Sequence, residues 1–168
     1  MSHSQNKVEW CLRKAQKELK SSEKHRGLVK TEQDIELAKA HIRKAEHYFK
    51  ATTHLKKGYF SDISASTIFY SMYHCLLAII AKFGYESRNQ ECTFALIHKL
   101  IEDGKIQLAK ELVDKIASFE IQHDEKTSIE LREQYQYGTE LSLRDNLYNE
   151  LLELAQKIIT ETKIIIQK

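Results

Sequence analysis

Tyr70 and His74 stand four residues apart inside a run that is otherwise almost wholly apolar. Four apart on a helix means one face. A histidine titrates near neutrality and can carry a proton, and a phenol beside it can donate or accept a hydrogen bond. The same pair also reads as a core histidine satisfied by a core hydroxyl. Arg88 is a second residue with chemistry to offer. It closes Gly84-Tyr85-Glu86-Ser87-Arg88, where a loop hands over to a helix. A guanidinium beside free backbone donors can hold an anion, and in solvent it is only a loop arginine. Glu120-Ile121-Gln122-His123 is the single Glu-x-x-His of the chain. A di-iron bundle needs two such pairs and further buried glutamates, so no metal site is expected. His47 and His54 stand beside Glu46 and Lys50 and read as a solvated face. The chain has no phosphate-cradling glycine loop, no nucleophile elbow and no closely spaced cysteine pair.

The elements that must position these residues are helical. The run holding Tyr70 and His74 spans about 59–83, after Gly58 and before Gly84. A helix apolar all round has to be surrounded by other elements. Ser71 and His74 interrupt this one, and Asp62 and Lys82 bracket it, so it reads as the central helix of a soluble bundle rather than a membrane span. A first helix covers about 7–21, with Val8, Leu12, Ala15 and Leu19 on one face, and a basic link follows from Lys24 to Lys30. The second helix opens at Thr31 and Asp34, a variant of the capping box. It buries Ile35, Ala38, Ile42, Ala45, Phe49 and Thr52, and ends at Gly58. A shorter helix covers about 91–102. Another starts at Ile106, carries Leu108, Leu112, Ile116 and Phe119, bends over 122–128 and resumes through Ile129 and Leu131 to Gly138. The last opens at Ser142 and buries Leu147, Leu151, Leu154, Ile158 and Ile165. No strand pattern competes with this periodicity. The fold class expected is all-α: an up-and-down helical bundle of four core helices with short flanking helices.

Composition sets outer bounds. The 168 residues suffice for one domain with a core of its own, read as an N-terminal helix and basic link over 1–30 and a bundle over 31–168. Proline is absent, and the five glycines punctuate the periodic stretches as helix stops. A formal charge of +2 is too small to argue for nucleic acid by itself. Three widely spaced cysteines make no disulfide framework, and Cys75 reads as a small core residue. The N-terminus is polar and lacks an apolar signal region, so a cytoplasmic protein without a membrane anchor is expected.

Gly58-Tyr59-Phe60-Ser61-Asp62, followed by Phe69-Tyr70-Ser71-Met72-Tyr73-His74-Cys75, resembles the second core helix of the HEPN domain family. Lys44 to Ala51 resembles the helix before it, and Leu131 to Gly138 the family's late arginine-containing motif. The resemblance covers the chain from about residue 31 onward. It implies a helical bundle that interacts with nucleotide or RNA and forms a homodimer. It also implies a small nucleotidyltransferase as partner, in a toxin–antitoxin-like pair. The family's ribonucleases use an Arg, four to six residues, then a His. Arg holds the phosphate and His exchanges the proton. Here Arg132 is followed by four residues and then Tyr137. Arg43 to His47 is too short for the motif and Arg88 to His98 too long. An ordinary phenol is a poor base at neutral pH, so ribonuclease activity is not expected. Arg132 remains the leading phosphate ligand, although as an exposed helix arginine it would pair with Glu133, Glu140 or Asp145. Tyr135 and Tyr137 either cap the core or mark the family's modified tyrosine. His74 could floor a cleft that Arg132 rims. No cofactor is expected. Two other readings stay open: a metal-independent RNA endonuclease with a degenerate Arg-x4-Tyr site, and a structural dimerisation module without ligand. Dimerisation is expected because the Tyr70–His74 and Met72–Leu76 flanks of the central helix both need cover.

Overall fold

A computed structural model describes residues 2–117 and 128–168, with the backbone alone for 128–132. Among the described residues the helices are α1 (His3–Leu19), α2 (Ile35–Lys57), α3 (Ser61–Lys82), α4 (Gln90–Glu102), α5 (Lys110–Ala117), α6 (Ser128–Tyr137) and α7 (Asp145–Gln167). The fold is an all-α bundle, as its periodicity dictates. The axis is α3. Its apolar circumference meets α2, α4, α6 and α7, and Ile68, Phe69, Met72, Leu76, Ile79 and Ile80 are at most 1% exposed. By length and hydropathy alone α3 could cross a bilayer, yet 61% of its most apolar window is buried against its own chain. Its apolar surface is matched by protein, as in the core helix of a bundle.

The α2–α3 hairpin is the closest packed pair. Ala38, Ile42 and Ala45 form the buried stripe of α2, and their small size lets the backbones approach. Buried hydroxyls fasten the seam. Ser71 Oγ donates to the Ala45 carbonyl at 2.8 Å, and the Thr52 and Thr67 hydroxyls lie 2.6 Å apart. Asp34 caps α2, its carboxylate accepting from the Leu37 amide at 2.7 Å.

Four expectations need correction. A two-stranded antiparallel ribbon exists, β1 (Leu28–Lys30) with β2 (Tyr85–Ser87), in the register Leu28 to Ser87 and Lys30 to Tyr85. Three-residue strands are too short to show a period. Cys11 and Cys92 form a disulfide, with 5.8 Å between their Cα atoms, which ties α1 to α4. The cysteines are distant in sequence and meet only because α1 folds back over α4; Cys75 is the free, buried one. Two helices start later than expected. Ile106 and Leu108 are buried in the non-helical approach to α5. Leu143 is buried in the non-helical segment ahead of α7, where its amide donates to Ser61 Oγ at 2.9 Å. Finally, Met72 and Leu76 are 0% exposed within one chain, so that flank of α3 needs no second copy.

Candidate functional site

The α2 stripe that packs on α3 is bordered by His41, Lys44 and Tyr48, spaced three and four apart and therefore on one helix face. On α3 the facing border carries Tyr70, His74 and Leu77, at the same spacing. Because the helices run antiparallel, the two borders meet at the surface. His41 and His74 lie with their Nδ1 atoms 2.9 Å apart. Tyr48 stacks on His74, ring centroids 5.6 Å apart and planes 18° from parallel. Tyr70 continues the row, 5.7 Å from Tyr48. The Lys44 ammonium sits 5.1 Å from the Tyr48 ring centroid, within cation–π range. The histidines and tyrosines of this row are half-buried. The hydrogen bond that His74 makes is thus to an imidazole of α2, where the sequence suggests a hydroxyl.

Two Nδ1 atoms can bond only if one carries a hydrogen and the other a lone pair. Burial holds the His74 imidazole down to about 4, with the positive charges of His41 and Lys44 adding to the effect. Burial lowers His41 as well. Near neutral pH the pair is uncharged. It forms a polar and partly apolar wall, with the Lys44 cation at its edge.

Arg88 stands beyond the His41 end of this row. A cavity of about 630 Å³ is lined by His41, by Leu37 and Leu77 and by Arg88. Arg88 Nε donates to Glu86 Oε1 at 2.8 Å, and His25 Nε2 lies 3.4 Å from the same oxygen. Half of the Arg88 side chain is in solvent. The structure therefore joins His74 and Arg88 through His41, a residue that carries no signal of its own in the sequence.

The late motif lies on α6, which packs against α3 and α5. The Arg132 side chain lies outside the described residues, as do Glu120 and His123. Tyr135 is half-buried and packs on the main core, whereas Tyr137 is 78% exposed. Asp145, one proposed mate of Arg132, is held by Lys56. His47 and His54 face solvent. Among the described residues no group of three or more His, Cys, Asp or Glu side chains could hold a metal ion.

The row on α2 could have been found from the 41/44/48 spacing beside the apolar stripe. Its importance comes only from what α3 sets against it. Residues 38–165 match the family model described as HEPN domain. No curated protein matches the chain.

Proposed function

Because the chain belongs to the HEPN domain family, we propose that it is a nucleotide- or RNA-interacting module. The observation that carries this reading is the row Lys44, Tyr48, His74 and Tyr70 on the α2–α3 surface. Stacked rings with a cation at the edge suit a base lying on a ring face and a phosphate beside it. An uncharged histidine pair suits this role better than a charged one, since it presents a face without electrostatic cost. Arg132 is the phosphate ligand in this reading, on the helix packed against α3, and Arg88 is its competitor at the other end of the row.

The module acts as a homodimer in the cytoplasm and pairs with a small nucleotidyltransferase in a toxin–antitoxin-like system. The Tyr137 ring supports that pairing, because at 78% exposure it is open to a modifying enzyme. Phe60 and Ile63, 56% and 47% exposed at the turn and the start of α3, support the dimer. The protein lacks ribonuclease activity, since the motif has Tyr137 where the nucleases carry His.

Titration calorimetry of adenosine triphosphate and of a short single-stranded RNA tests the reading. Wild type is compared with Tyr48→Ala, Arg132→Lys and Arg88→Ala, each checked for folding. Loss of stacking costs about 1–3 kcal/mol of binding. Loss of the guanidinium fork costs about 1.5–3 kcal/mol. Binding that survives both Tyr48→Ala and Arg132→Lys places the ligand elsewhere. RNA cleavage without metal, abolished by Tyr137→Phe, would make the protein a nuclease.

A further inference from the structure

The ribbon has its β1 side against α1, and β2 has no further strand beside it among the described residues. The Thr31 amide donates to the Gly84 carbonyl and the Arg88 amide to the Gly27 carbonyl, at 2.9 and 3.1 Å. With the register of the ribbon, these bonds make Gly84, Glu86 and Arg88 the residues whose main chain turns toward β1. The N–H and C=O of Tyr85 and Ser87 therefore point the other way. Among the described residues they make no main-chain hydrogen bond there. The cavity that Arg88 and His41 line also takes in Tyr85, Glu86 and Ser87. Alternate strand residues belong to opposite sheet faces, so a cavity touching all of them runs along the strand edge. Its apolar lining includes Leu37, Leu77 and Ile80.

We infer that this groove is a docking site for an extended, lysine- or arginine-bearing peptide segment of a partner protein. The segment adds a third strand to the ribbon at β2. Main-chain bonds to Tyr85 and Ser87 would fix its register, and alternate side chains would reach the apolar lining. Charge selects its composition. Glu32, Asp34 and Glu86 bring three carboxylates to the groove against the one guanidinium of Arg88, a balance of −2, and burial keeps His41 from adding a positive charge near neutral pH. Arg88 is already engaged with Glu86 and Asp34 with the Leu37 amide, which leaves the Glu32 carboxylate to meet an incoming cation. A second copy of this chain fits less well. Symmetric pairing of two β2 edges about Glu86 would set like charges across the seam. This inference does not depend on nucleotide binding at Tyr48 and His74.

The test uses the whole chain and a synthetic peptide of alternating lysine and valine, six residues long. A control peptide of the same sequence is N-methylated at alternate amides, which keeps the charge and removes the donors needed for strand pairing. Binding is read by fluorescence anisotropy and by amide shifts in the ¹⁵N NMR spectrum. The inference expects the plain peptide to bind, with the largest shifts at Tyr85 and Ser87, and the methylated one to bind at least tenfold more weakly. Glu32→Lys, at an exposed position, should weaken binding about three- to tenfold. Equal binding of both peptides overturns the strand-pairing assignment. Shifts confined to other surfaces, no binding at millimolar peptide, or self-association through the β2 edge would each overturn it too.

Discussion

His41 on α2 and His74 on α3 hold each other through Nδ1 atoms 2.9 Å apart, across the most tightly packed seam of the bundle. The bond survives one added proton but not two. The folded His74 takes up its proton near 4, and an unfolded histidine near 6.5. Between those values the unfolded chain binds more protons, so stability falls as pH drops. This contribution is intact above about pH 6.5 and fully lost below about pH 4. The bare shift would be worth about 3 kcal/mol, and water at the half-exposed ring reduces that to about 1–2 kcal/mol. Urea melts between pH 7.5 and 4.5 should show the decline, and His74→Gln should flatten it. An identical decline in His74→Gln would assign it to other groups.

Cys11 and Cys92 are 81 residues apart in the chain and both are 0% exposed. Closing a loop of that length restricts the unfolded chain by about 4–5 kcal/mol in the entropic account. Reductant should therefore lower the melting temperature by on the order of 10 °C. The Cys11→Ser/Cys92→Ser double variant should melt alike with and without reductant. Cys75 should stay unlabelled by thiol reagents in the folded protein, because burial pushes its thiol up to about 12. Labelling of Cys75 at the rate of a free thiol would contradict that burial.

Gly84 and Gly104 separate backbone strain from steric collision. Both have positive φ, 74° and 65°. A Cβ on Gly104 would meet nothing within 4 Å, whereas one on Gly84 would lie 2.8 Å from the Thr31 carbonyl oxygen. Gly104→Ala should cost about 1–2 kcal/mol, the left-handed penalty alone. Gly84→Ala should cost more, because Thr31 must move and its amide bond to the Gly84 carbonyl goes with it. Denaturant midpoints of the two variants give the comparison, and equal losses would remove the collision from the account.

The bundle was legible because its helices announce themselves. α3 is apolar all round and α2 and α7 carry long stripes, so most of their burial follows from period, but Ile35 at the head of the α2 stripe is 38% exposed. The start of α2 was less legible: the Thr31–Asp34 spacing suggests a capping box opening at Thr31, whereas Asp34 is itself the cap and Thr31 pairs with Gly84. The ribbon, the disulfide and the His41–His74 bond were not legible. Each joins residues far apart in sequence, and none has a local pattern. Tyr48 and Lys44 look like ordinary polar-face residues until α3 brings His74 against them. Arg132 stood out only through resemblance to the HEPN motif, which reports on a family rather than on a contact in this chain.

Homodimerisation is the remaining prediction, and the exposed face of the α2–α3 hairpin narrows it. Met72 and Leu76 are sealed inside one chain, so that flank of α3 does not supply the interface. At the start of α3, Ile63 is 47% exposed, and Phe60 and Tyr59 at the turn before it are 56% and 91% exposed. Large apolar side chains gathered on one face mark a contact surface more often than isolated ones do. Light scattering across dilution should report twice the 19.7 kDa chain mass at micromolar concentration. Ile63→Lys should split the dimer, since it sets an ammonium where the partner's apolar surface would lie. The monomer should tolerate the change, because the position already meets water. Retained helical signal with halved mass is the expected result. A wild-type monomer, or an Ile63→Lys variant that stays dimeric, would move the interface off this face.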